Sequence, residues 1–442
     1  MTSRPPVPPD APKAAPDPLL EARSGRLRRA VSNPVIQQNF LYLVGIGVSG
    51  FGILLAQSYA AHHLTAAENG ESTSVVAVLN LLYTTAFVVA AGAAREVAGA
   101  VSRGVPAIER WADLQRSAWR IGLSLAGIMI PVDFLLAFLL HLPHPEVLAA
   151  TVLACPLTAV AGAQRGYLQG GRDFRRLAVN LVLYGGSVVV VAVILLHLHL
   201  GSAAVPIATV CGAAGSAVYP RHPGARSSRT ASSGRLIDYT VVAGAATAPL
   251  FGNIDVVVAR HVLPATGAGL YSGLSVMGKI IFYGTSSLTA VMYPRVAAAT
   301  TASARRKLLL QTLAALTAVD VVGLLVYGLL AHHLIKFILG TQYHRDAALL
   351  PLFALGIVAL TYVNLFVYYG MGARVRHFAL VPAIGVPVVI AWLLASPPAV
   401  ADFVPRIASA LIVLAVLEAV FILPAVFRSG EHSSRAGRHP MA

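Results

Sequence analysis

Residues 253–295 read NIDVVVARHVLPATGAGLYSGLSVMGKIIFYGTSSLTAVMYPR, and this stretch decides how the rest of the chain is interpreted. An apolar run that carries Asp255 is followed by a short turn with Pro264, and a second apolar run carries Lys279 near its middle. Two apolar runs joined by a turn predict a transmembrane helical hairpin. Because a charge inside a membrane is costly, Asp255 and Lys279 are candidate functional residues and candidate partners of each other.

The composition of the whole chain is that of an integral membrane protein. Of the 442 residues, 57% are hydrophobic and only 12% are charged, and the mean hydropathy is +0.72. Soluble domains carry about 25% charged residues. The formal charge of +15 does not predict nucleic-acid binding, because the basic residues are spread between apolar runs rather than collected in one domain. Cys155 and Cys211 lie in apolar runs, which indicates packing rather than a disulfide framework.

Twelve apolar runs are long enough to cross a membrane, which takes about 20 residues. They are residues 40–60, 74–94, 121–142, 147–168, 177–198, 201–219, 239–259, 268–293, 308–331, 348–371, 378–396 and 407–427. The eighth apolar run ends at Pro294-Arg295. The predicted fold class is an all-α polytopic membrane protein, with about twelve transmembrane helices in two six-helix bundles around a central cavity.

The positions of Lys and Arg predict that both termini are cytoplasmic. With the N-terminus inside, 28 of the 33 Lys and Arg residues fall in cytoplasmic segments. External segments hold Arg260, Lys336, Arg345 and Arg406, and Lys279 lies within a span. The first apolar run has the length of a full span, so the N-terminus does not resemble a signal peptide.

The predicted domain organisation has five parts. Residues 1–38 are Pro-rich and then basic, which predicts a disordered cytoplasmic tail. Residues 39–219 form the N-terminal six-helix bundle, and residues 238–427 form the C-terminal one. Between them, residues 220–237 are basic and Ser-rich, as is typical of a flexible cytoplasmic linker. Residues 428–442 form a basic cytoplasmic tail.

The two halves show a short internal similarity. A shift of 199 residues aligns His62 with His261, Leu64 with Leu263 and Gly70 with Gly269. Because each half has six predicted spans, both halves have the same orientation in the membrane. We therefore expect a parallel repeat, with two bundles facing a central cavity, as in many transporters.

Several polar residues in or near the spans are candidates for binding a substrate. Arg95 closes the second span and Arg165 the fourth, so each either reaches the cytoplasmic headgroups or lines a basic cavity that attracts an anion. Lys279 lies about ten residues into its helix, so it either pairs with Asp255 or contacts an anionic ligand. Asn253 is also a substrate-binding candidate, although amides near spans more often bond neighbouring helices.

Three further acids, Asp133, Asp320 and Glu418, lie within spans and are candidate coupling residues. A neutral carboxyl is far less costly to bury than an ionised one. Each acid is therefore either a proton site of a coupled transporter or a neutral group bonded to a neighbouring helix. The chain shows no phosphate-binding glycine loop, catalytic constellation or metal-ligand spacing, so we expect no enzymatic activity, cofactor or metal.

These motifs resemble those of the polysaccharide flippases of the multidrug/oligosaccharidyl-lipid/polysaccharide (MOP) superfamily. In that family an Asp of the seventh span, here Asp255, precedes a Gly-x-Tyr turn, here Gly269-Leu270-Tyr271. A basic residue follows in the eighth span, here Lys279, and a Pro-Arg pair closes it. The stretches AGAQRGYLQGGRDFRRLAVNLVLYGGSVVVVAVILL (161–196) and AAHHLTAAENGESTSVVAVLNLL (60–82) are similar as well. The first-half turn departs from the family pattern and retains only its glycine, Gly70.

The resemblance implies a flippase that moves an undecaprenyl-diphosphate-linked oligosaccharide across the bacterial cytoplasmic (inner) membrane, by alternating access, for cell-surface polysaccharide biosynthesis. Lys279, Arg95 and Arg165 would help to bind the diphosphate. The implied partners are this substrate, membrane lipids, a polysaccharide polymerase and glycosyltransferases, with no nucleic acid. Two alternatives stay open: a cation- or proton-coupled antiporter of drugs or small molecules from the same superfamily, and a non-transporting scaffold for the synthesis enzymes.

Overall fold

A computed structural model describes residues 34–220, 242, 246–247, 249–375 and 377–428. These residues form twelve α-helices and three short 3-10 helices, with no β-strand among them. The helices of the N-terminal half are α1 (Pro34–His63), α2 (Ala66–Ser102), α3 (Ile108–Leu139), α4 (Ala149–Gly170), α5 (Phe174–His197) and α6 (Ala204–Val218). Those of the C-terminal half are α7 (Ile254–Val262), α8 (Ala265–Ala298), α9 (Ala302–Ile338), α10 (Leu350–Ala373), α11 (Leu380–Leu394) and α12 (Val400–Arg428).

The all-α membrane fold predicted from the sequence is confirmed. Ten of the helices in the described part of the chain are long and apolar enough to cross a membrane, and α11 is a shorter apolar helix. The seventh span is described as a continuous helix only from Ile254 to Val262. The predicted tails and linker fall largely on residues 1–33, 221–241 and 429–442, which lie outside the described residues.

Several helices extend beyond the apolar runs that predicted them. Helix α2 begins at Ala66, eight residues before the predicted span, because Thr65 and Glu68 form a capping box. The Thr65 backbone N–H donates to Glu68 Oε2 at 2.9 Å, and the Glu68 N–H donates to Thr65 Oγ1 at 3.3 Å. Such caps start a helix regardless of hydropathy. Helix α8 likewise continues past the end of its apolar run at Pro294-Arg295, to Ala298.

Helices within the N-terminal half approach closely through small residues. Glycines at four-residue intervals on α4 face alanines of α2. A Cβ placed on Gly162 would lie 2.4 Å from the Ala86 carbonyl oxygen, and one on Gly170 would lie 2.6 Å from that of Ala94. Only residues with little or no side chain allow such contact, which in lipid supplies much of the association energy between helices.

The two halves cross at a pair of glycines, one on α2 and one on α8. A Cβ on Gly269 would lie 1.7 Å from the Ala66 carbonyl oxygen, and one on Gly70 would lie 2.8 Å from Gly269 Cα. Gly70 and Gly269 are the residues that the 199-residue shift aligns. Equivalent residues of two repeats touch each other where a two-fold axis passes between them, so this contact agrees with the predicted parallel repeat.

Hydrogen bonds near this crossing hold the end of α9 against α1. We call this end of the molecule, which carries the α1–α2 and α7–α8 turns, the hairpin end, and we call the opposite end the basic end. Ser58 Oγ donates to the Ile338 carbonyl oxygen. Gln342 Nε2 donates to the carbonyl oxygens of Ala61 and Leu64, at 2.7 and 3.0 Å. The distribution of Lys and Arg predicts that the hairpin end is external.

A matching set of bonds holds the end of α3 against α7. Arg260 Nε donates to the Leu140 carbonyl oxygen at 3.1 Å, and His261 Nδ1 lies 2.7 Å from that of Leu139. Leu139 and Ile338, the last residues of α3 and α9, are themselves separated by 199 residues. Each half therefore holds the end of the other half's third helix, which joins the halves at the hairpin end in a nearly symmetric way.

Candidate functional site

The hairpin quoted at the outset brings one buried acid against a polar face of α8. Asp255 is 2% exposed, and its Oδ2 accepts hydrogen bonds from Tyr271 Oη at 2.7 Å and Ser275 Oγ at 3.2 Å. Tyr271, Ser275 and Lys279 are four residues apart, so all three project from one side of α8. Lys279 is half-buried and lies one turn beyond the two hydroxyls.

The predicted ion pair between Asp255 and Lys279 is not found among the described residues, so that prediction is wrong for this conformation. Tyr271 and Ser275 provide the hydrogen bonds that we expected from Lys279. The physical reason is the helical spacing, since a residue one turn further along α8 rises by about 5.4 Å.

Asn253 lies where the seventh span is interrupted. Residues 252 and 253 form a turn between the helical residue Phe251 and α7. Asn253 is 3% exposed, and its Nδ2 donates to the Pro249 carbonyl oxygen at 2.8 Å. Its Oδ1 accepts a hydrogen bond at 3.1 Å from Asn80 Nδ2 on α2. Asn253 therefore joins the two halves, and discontinuous helices of this kind form binding sites in many transporters.

Asn80 and Lys279 occupy equivalent places in the two halves. Each lies ten residues beyond the glycine of its own helix at the crossing, which corresponds to a rise of about 15 Å. The 199-residue shift aligns them as well. The interface between the halves thus presents, at one depth, the amides of Asn80 and Asn253 and the ammonium group of Lys279.

Arg165 is buried in the N-terminal half, where neutral side chains from three other helices surround its guanidinium group. Its Nε donates to Asn180 Oδ1 of α5 at 3.0 Å, and Nη2 donates to Ser216 Oγ of α6 at 3.1 Å. Nη1 donates to Tyr83 Oη of α2. The guanidinium carbon lies 5.3 Å from the centre of the Tyr83 ring and 5.2 Å from that of Tyr184.

The charge of Arg165 is therefore stabilised without a carboxylate in any of these contacts. The side chain is 9% exposed, so it does not extend into the lipid headgroups as one interpretation of the sequence proposed. Cation–π contacts stabilise a cation while leaving its charge in place. Tyr83 lies one turn beyond Asn80 on α2, so this positive charge lies close behind the interface. Tyr83 and Tyr184 were missed in the sequence, where they are ordinary aromatic residues of apolar runs.

Arg95 is exposed and lies apart from the other two basic candidates. It follows Tyr83, the α2 residue that Arg165 contacts, by twelve residues, or about 18 Å along the helix toward the basic end. The structure thus places Lys279 in the middle part of α8, Arg165 five residues before the end of α4, and Arg95 near the basic end.

Two of the coupling candidates join neighbouring helices. Asp133 Oδ2 accepts a hydrogen bond from Thr151 Oγ1 at 2.6 Å, which links α3 to α4. Asp320 Oδ2 accepts one from Thr361 Oγ1 at 2.9 Å, which links α9 to α10, the corresponding helices of the other half. In both acids the Oδ1 atom is buried and has no hydrogen-bond partner in the described part of the chain.

Glu418, the third coupling candidate, differs from these two acids. Its side chain is fully buried on α12, and neither carboxyl oxygen has a partner among the residues that the structure describes. An ionised carboxylate in such a place costs several kcal/mol, so Glu418 is either neutral or neutralised by a bound species. Within the described ranges, no group of three or more His, Cys, Asp or Glu side chains is arranged to hold a metal ion.

Comparison with known proteins identifies the fold. The structure resembles the inward-facing conformation of a multidrug resistance MATE family transporter of the MOP superfamily, with a TM-score of 0.68 over 89% of this chain and 96% of that one. The chain described here has the fold of the MATE transporters. The outward-facing conformation of a multidrug resistance MATE family transporter of the MOP superfamily gives a TM-score of 0.59, over 90% of this chain and 96% of that one. A MOP superfamily transporter from Pyrococcus furiosus Vc1 gives 0.61, over 89% and 95%.

The sequence similarity behind this fold is low. Identity is 13% in all three comparisons, so the comparisons establish the fold of two helix bundles and leave the substrate to the chemistry of the site. No family model and no curated protein matches the chain.

Proposed function

We propose that this protein is a flippase that moves a polyprenyl-diphosphate-linked oligosaccharide across the cytoplasmic membrane by alternating access. Such a substrate has a negatively charged diphosphate, a polar sugar and an apolar tail. It therefore needs positive charge and hydrogen-bonding groups between the halves, together with an opening to lipid for the tail. The resemblance of the sequence to polysaccharide flippases supports the same substrate class.

The observation that carries this proposal is the pair of basic residues within the helix bundles, Arg165, which is buried, and Lys279, which is half-buried. Arg165 is held by neutral partners, and Lys279 has no ion pair with Asp255 in the described structure. Both are basic side chains close to the interface between the halves. A diphosphate is attracted by such charges, and a buried charge acts more strongly than one in water.

The contacts between the halves support loading from the basic end. Hydrogen bonds and the Gly70–Gly269 contact join the halves at the hairpin end, which is predicted to be external. The TM-score is also higher with the inward-facing neighbour, at 0.68, than with the outward-facing one, at 0.59. This conformation would receive substrate from the cytoplasmic leaflet, and parting of the hairpin end would release it outside.

A cation- or proton-coupled antiporter of drugs is the second candidate. It is favoured by the multidrug resistance proteins among the fold neighbours and by the buried carboxyls of Asp133, Asp255, Asp320 and Glu418. Against it, the basic groups near the interface would repel cationic drugs. The Pyrococcus furiosus neighbour is described with the words "reverse polarity of binding pocket suggests different function", so pockets of different polarity occur on this fold.

The test is transport by the purified full-length chain in vesicles, with a fluorescent polyprenyl-diphosphate-linked sugar as one substrate and a cationic dye as the other. The proposal expects translocation of the lipid-linked sugar and none of the dye. Dye transport alone would contradict it in favour of the antiporter. The scaffold alternative predicts two results together. The purified chain moves neither substrate, and deletion of residues 1–33 and 429–442 in the host abolishes polymer formation.

A further inference from the structure

A cavity of about 360 Å³ lies at the hairpin end, where the two halves meet. The N-terminal half contributes His141, in the turn after α3, and the C-terminal half contributes Arg260 and His261 at the end of α7. The remaining wall is apolar and consists of Val262, Leu263, Pro264, Ala265 and Pro398. Pockets for small ligands measure about 300–1,000 Å³, so a small ligand fits between the halves here.

Arg260 is a buried cation with one unused hydrogen-bond donor. Its side chain is 4% exposed. Nε donates to the Leu140 carbonyl oxygen at 3.1 Å and Nη2 to that of His141 at 3.4 Å, whereas Nη1 is buried and has no partner within the described ranges. Glu71 interacts with Arg260 electrostatically but forms no ion pair with it in the described part of the chain, and its Oε1 accepts the His144 backbone N–H at 3.0 Å. A buried donor without an acceptor is costly, so an acceptor atom of a bound ligand would stabilise this group.

Two histidines, one from each half, line the cavity together with Arg260. The ring centres of His141 and His261 are 5.5 Å apart, and the rings are stacked. His261 Nδ1 lies 2.7 Å from the Leu139 carbonyl oxygen, so Nδ1 carries a hydrogen and only Nε2 is left for another contact. Both histidine side chains are exposed. Arg260 attracts an anion to this place, whereas it repels a metal ion, the other usual ligand of paired histidines.

The N-terminus of α8 is a further positive part of the wall. The helix begins at Ala265, after Pro264, and no side chain in the described structure caps its first turn. The first N–H groups of an α-helix have no partner within the helix, and they carry the positive end of the helix dipole. Together with the unpaired nitrogen of Arg260, they match the several oxygen atoms of a phosphate group better than the two of a carboxylate.

The equivalent place in the other half lacks most of these basic groups. The 199-residue shift aligns the three basic residues of the cavity with residues of the other half: Arg260 with Ala61, His261 with His62 and His141 with Gly340. His62 does lie beside Gly340, as His261 lies beside His141, so the backbone arrangement is repeated. Of the three basic side chains, only the histidine at the end of the first helix of each half is repeated.

The starts of the two following helices differ in the same direction. At α2, Thr65 and Glu68 form the capping box, so a carboxylate already occupies the positive end of that helix. The shift places Pro264 and Gly267 in their positions at α8. Packing of the halves requires neither an arginine nor an uncapped helix start, since the equivalent place has neither. The asymmetry therefore indicates a ligand that binds on one side only.

We propose that this cavity binds a phosphate group, either as the free ion or as part of a lipid headgroup, and that the bound group holds the halves together at the hairpin end. Arg260 and the start of α8 belong to one half and His141 to the other, so a ligand that contacts both must leave before the halves part. The apolar wall suits the carbon atoms of a headgroup. Ala265 precedes Lys279 by 14 residues of α8, or about 21 Å, so this site is separate from the proposed diphosphate site and does not rest on that substrate.

The experiment measures thermal unfolding of the purified full-length protein in a maltoside detergent, at constant pH and ionic strength. Sodium phosphate is compared with sodium chloride, and short-chain phosphatidylglycerol is compared with the short-chain diacylglycerol that lacks the phosphate. A ligand that binds only the folded state raises the midpoint in a saturable manner. We expect a rise of about 2 °C or more with phosphate, with phosphatidylglycerol or with both. A rise with phosphatidylglycerol alone would assign the site to a lipid headgroup.

Two variants test whether the response comes from this cavity. Arg260→Lys keeps the charge but removes the unpaired guanidinium nitrogen, and His141→Asn removes the ring while keeping a residue that tolerates the φ of +48°. Each should raise the ligand concentration that gives half of the rise by about 10-fold. The matched control is His62→Asn, the counterpart of His261 in the other half, which should leave the response unchanged. An unchanged response in both Arg260→Lys and His141→Asn, or no response of the natural protein to either ligand, would overturn the proposal.

The effect on the hairpin end is measured by crosslinking. In a chain with Cys155 and Cys211 replaced by Ala, the ligand that raises the midpoint should raise the yield of a crosslink between His62→Cys and Gln342→Cys by about 2-fold, because it favours the joined state. An unchanged yield would overturn the proposed closure. Neither measurement uses a lipid-linked sugar, so failure here leaves the flippase proposal standing, and failure of sugar transport leaves the phosphate site standing.

Discussion

Lys279 is the basic residue of α8 that the structure leaves without its expected acidic partner. We predict that Lys279→Ala lowers the initial rate of lipid-linked sugar transport by about 10-fold or more, because a charge-assisted contact with the diphosphate is lost. Lys279→Arg should retain most of the rate if charge is what matters. Lys336→Ala, which removes an exposed lysine near the hairpin end, is the control. Normal transport by Lys279→Ala would remove this residue from the site.

A second prediction at the residue scale concerns the Tyr83 hydroxyl. Tyr83→Phe keeps the ring beside the Arg165 guanidinium group but removes the oxygen that accepts a hydrogen bond from Nη1. We expect a loss of about 1–3 kcal/mol of stability, since a buried charged donor then has no acceptor. Tyr59→Phe, where the structure describes no bond to the hydroxyl, should change the unfolding midpoint little. Equal midpoints for both variants would show that the Tyr83 bond contributes nothing.

At the scale of the helices, the contact between α2 and α8 depends on residues without side chains. In Gly269→Ala the added Cβ would meet the Ala66 carbonyl oxygen at 1.7 Å, so the helices must separate. We expect destabilisation of about 1–3 kcal/mol or more, as for other overpacked contacts. Gly284→Ala on the same helix, where a Cβ meets nothing within 4 Å, is the matched control. The measurement is thermal unfolding, and similar midpoints for the two variants would contradict the crossing described here.

For the whole molecule, the contacts at the hairpin end predict that transport requires this end to open. His62 lies beside Gly340, and both His62 and Gln342 are exposed. In a chain with Cys155 and Cys211 replaced by Ala, we expect a short cleavable thiol reagent to join His62→Cys to Gln342→Cys and to stop transport. Cleavage of the reagent should restore the rate. The single-cysteine variants treated in the same way are the controls, and full transport by the joined protein would show that the halves do not separate here.

The sequence by itself determined the properties that depend on one segment at a time. Apolar runs placed the helices, since any segment of about 20 apolar residues prefers lipid to water. The 199-residue shift aligned Gly70 with Gly269, which the structure then places in contact. Capping was the local signal that we overlooked, because Thr65 and Glu68 start α2 in a polar stretch. Asp255, Lys279 and Asn253 stay predicted binding residues, and the ion pair expected between Asp255 and Lys279 is not found in the described structure.

Only the tertiary structure decided which polar groups meet. The partners of Arg165 come from α2, α5 and α6, and Tyr271 rather than Lys279 binds Asp255. The physical reason is that apolar helices, each considered alone in lipid, are nearly equivalent, so none of them specifies its own neighbours. Packing of small residues between helices decides which neighbour each helix contacts, how the helix is rotated and how deep it lies. The sequence of a single segment does not contain that information.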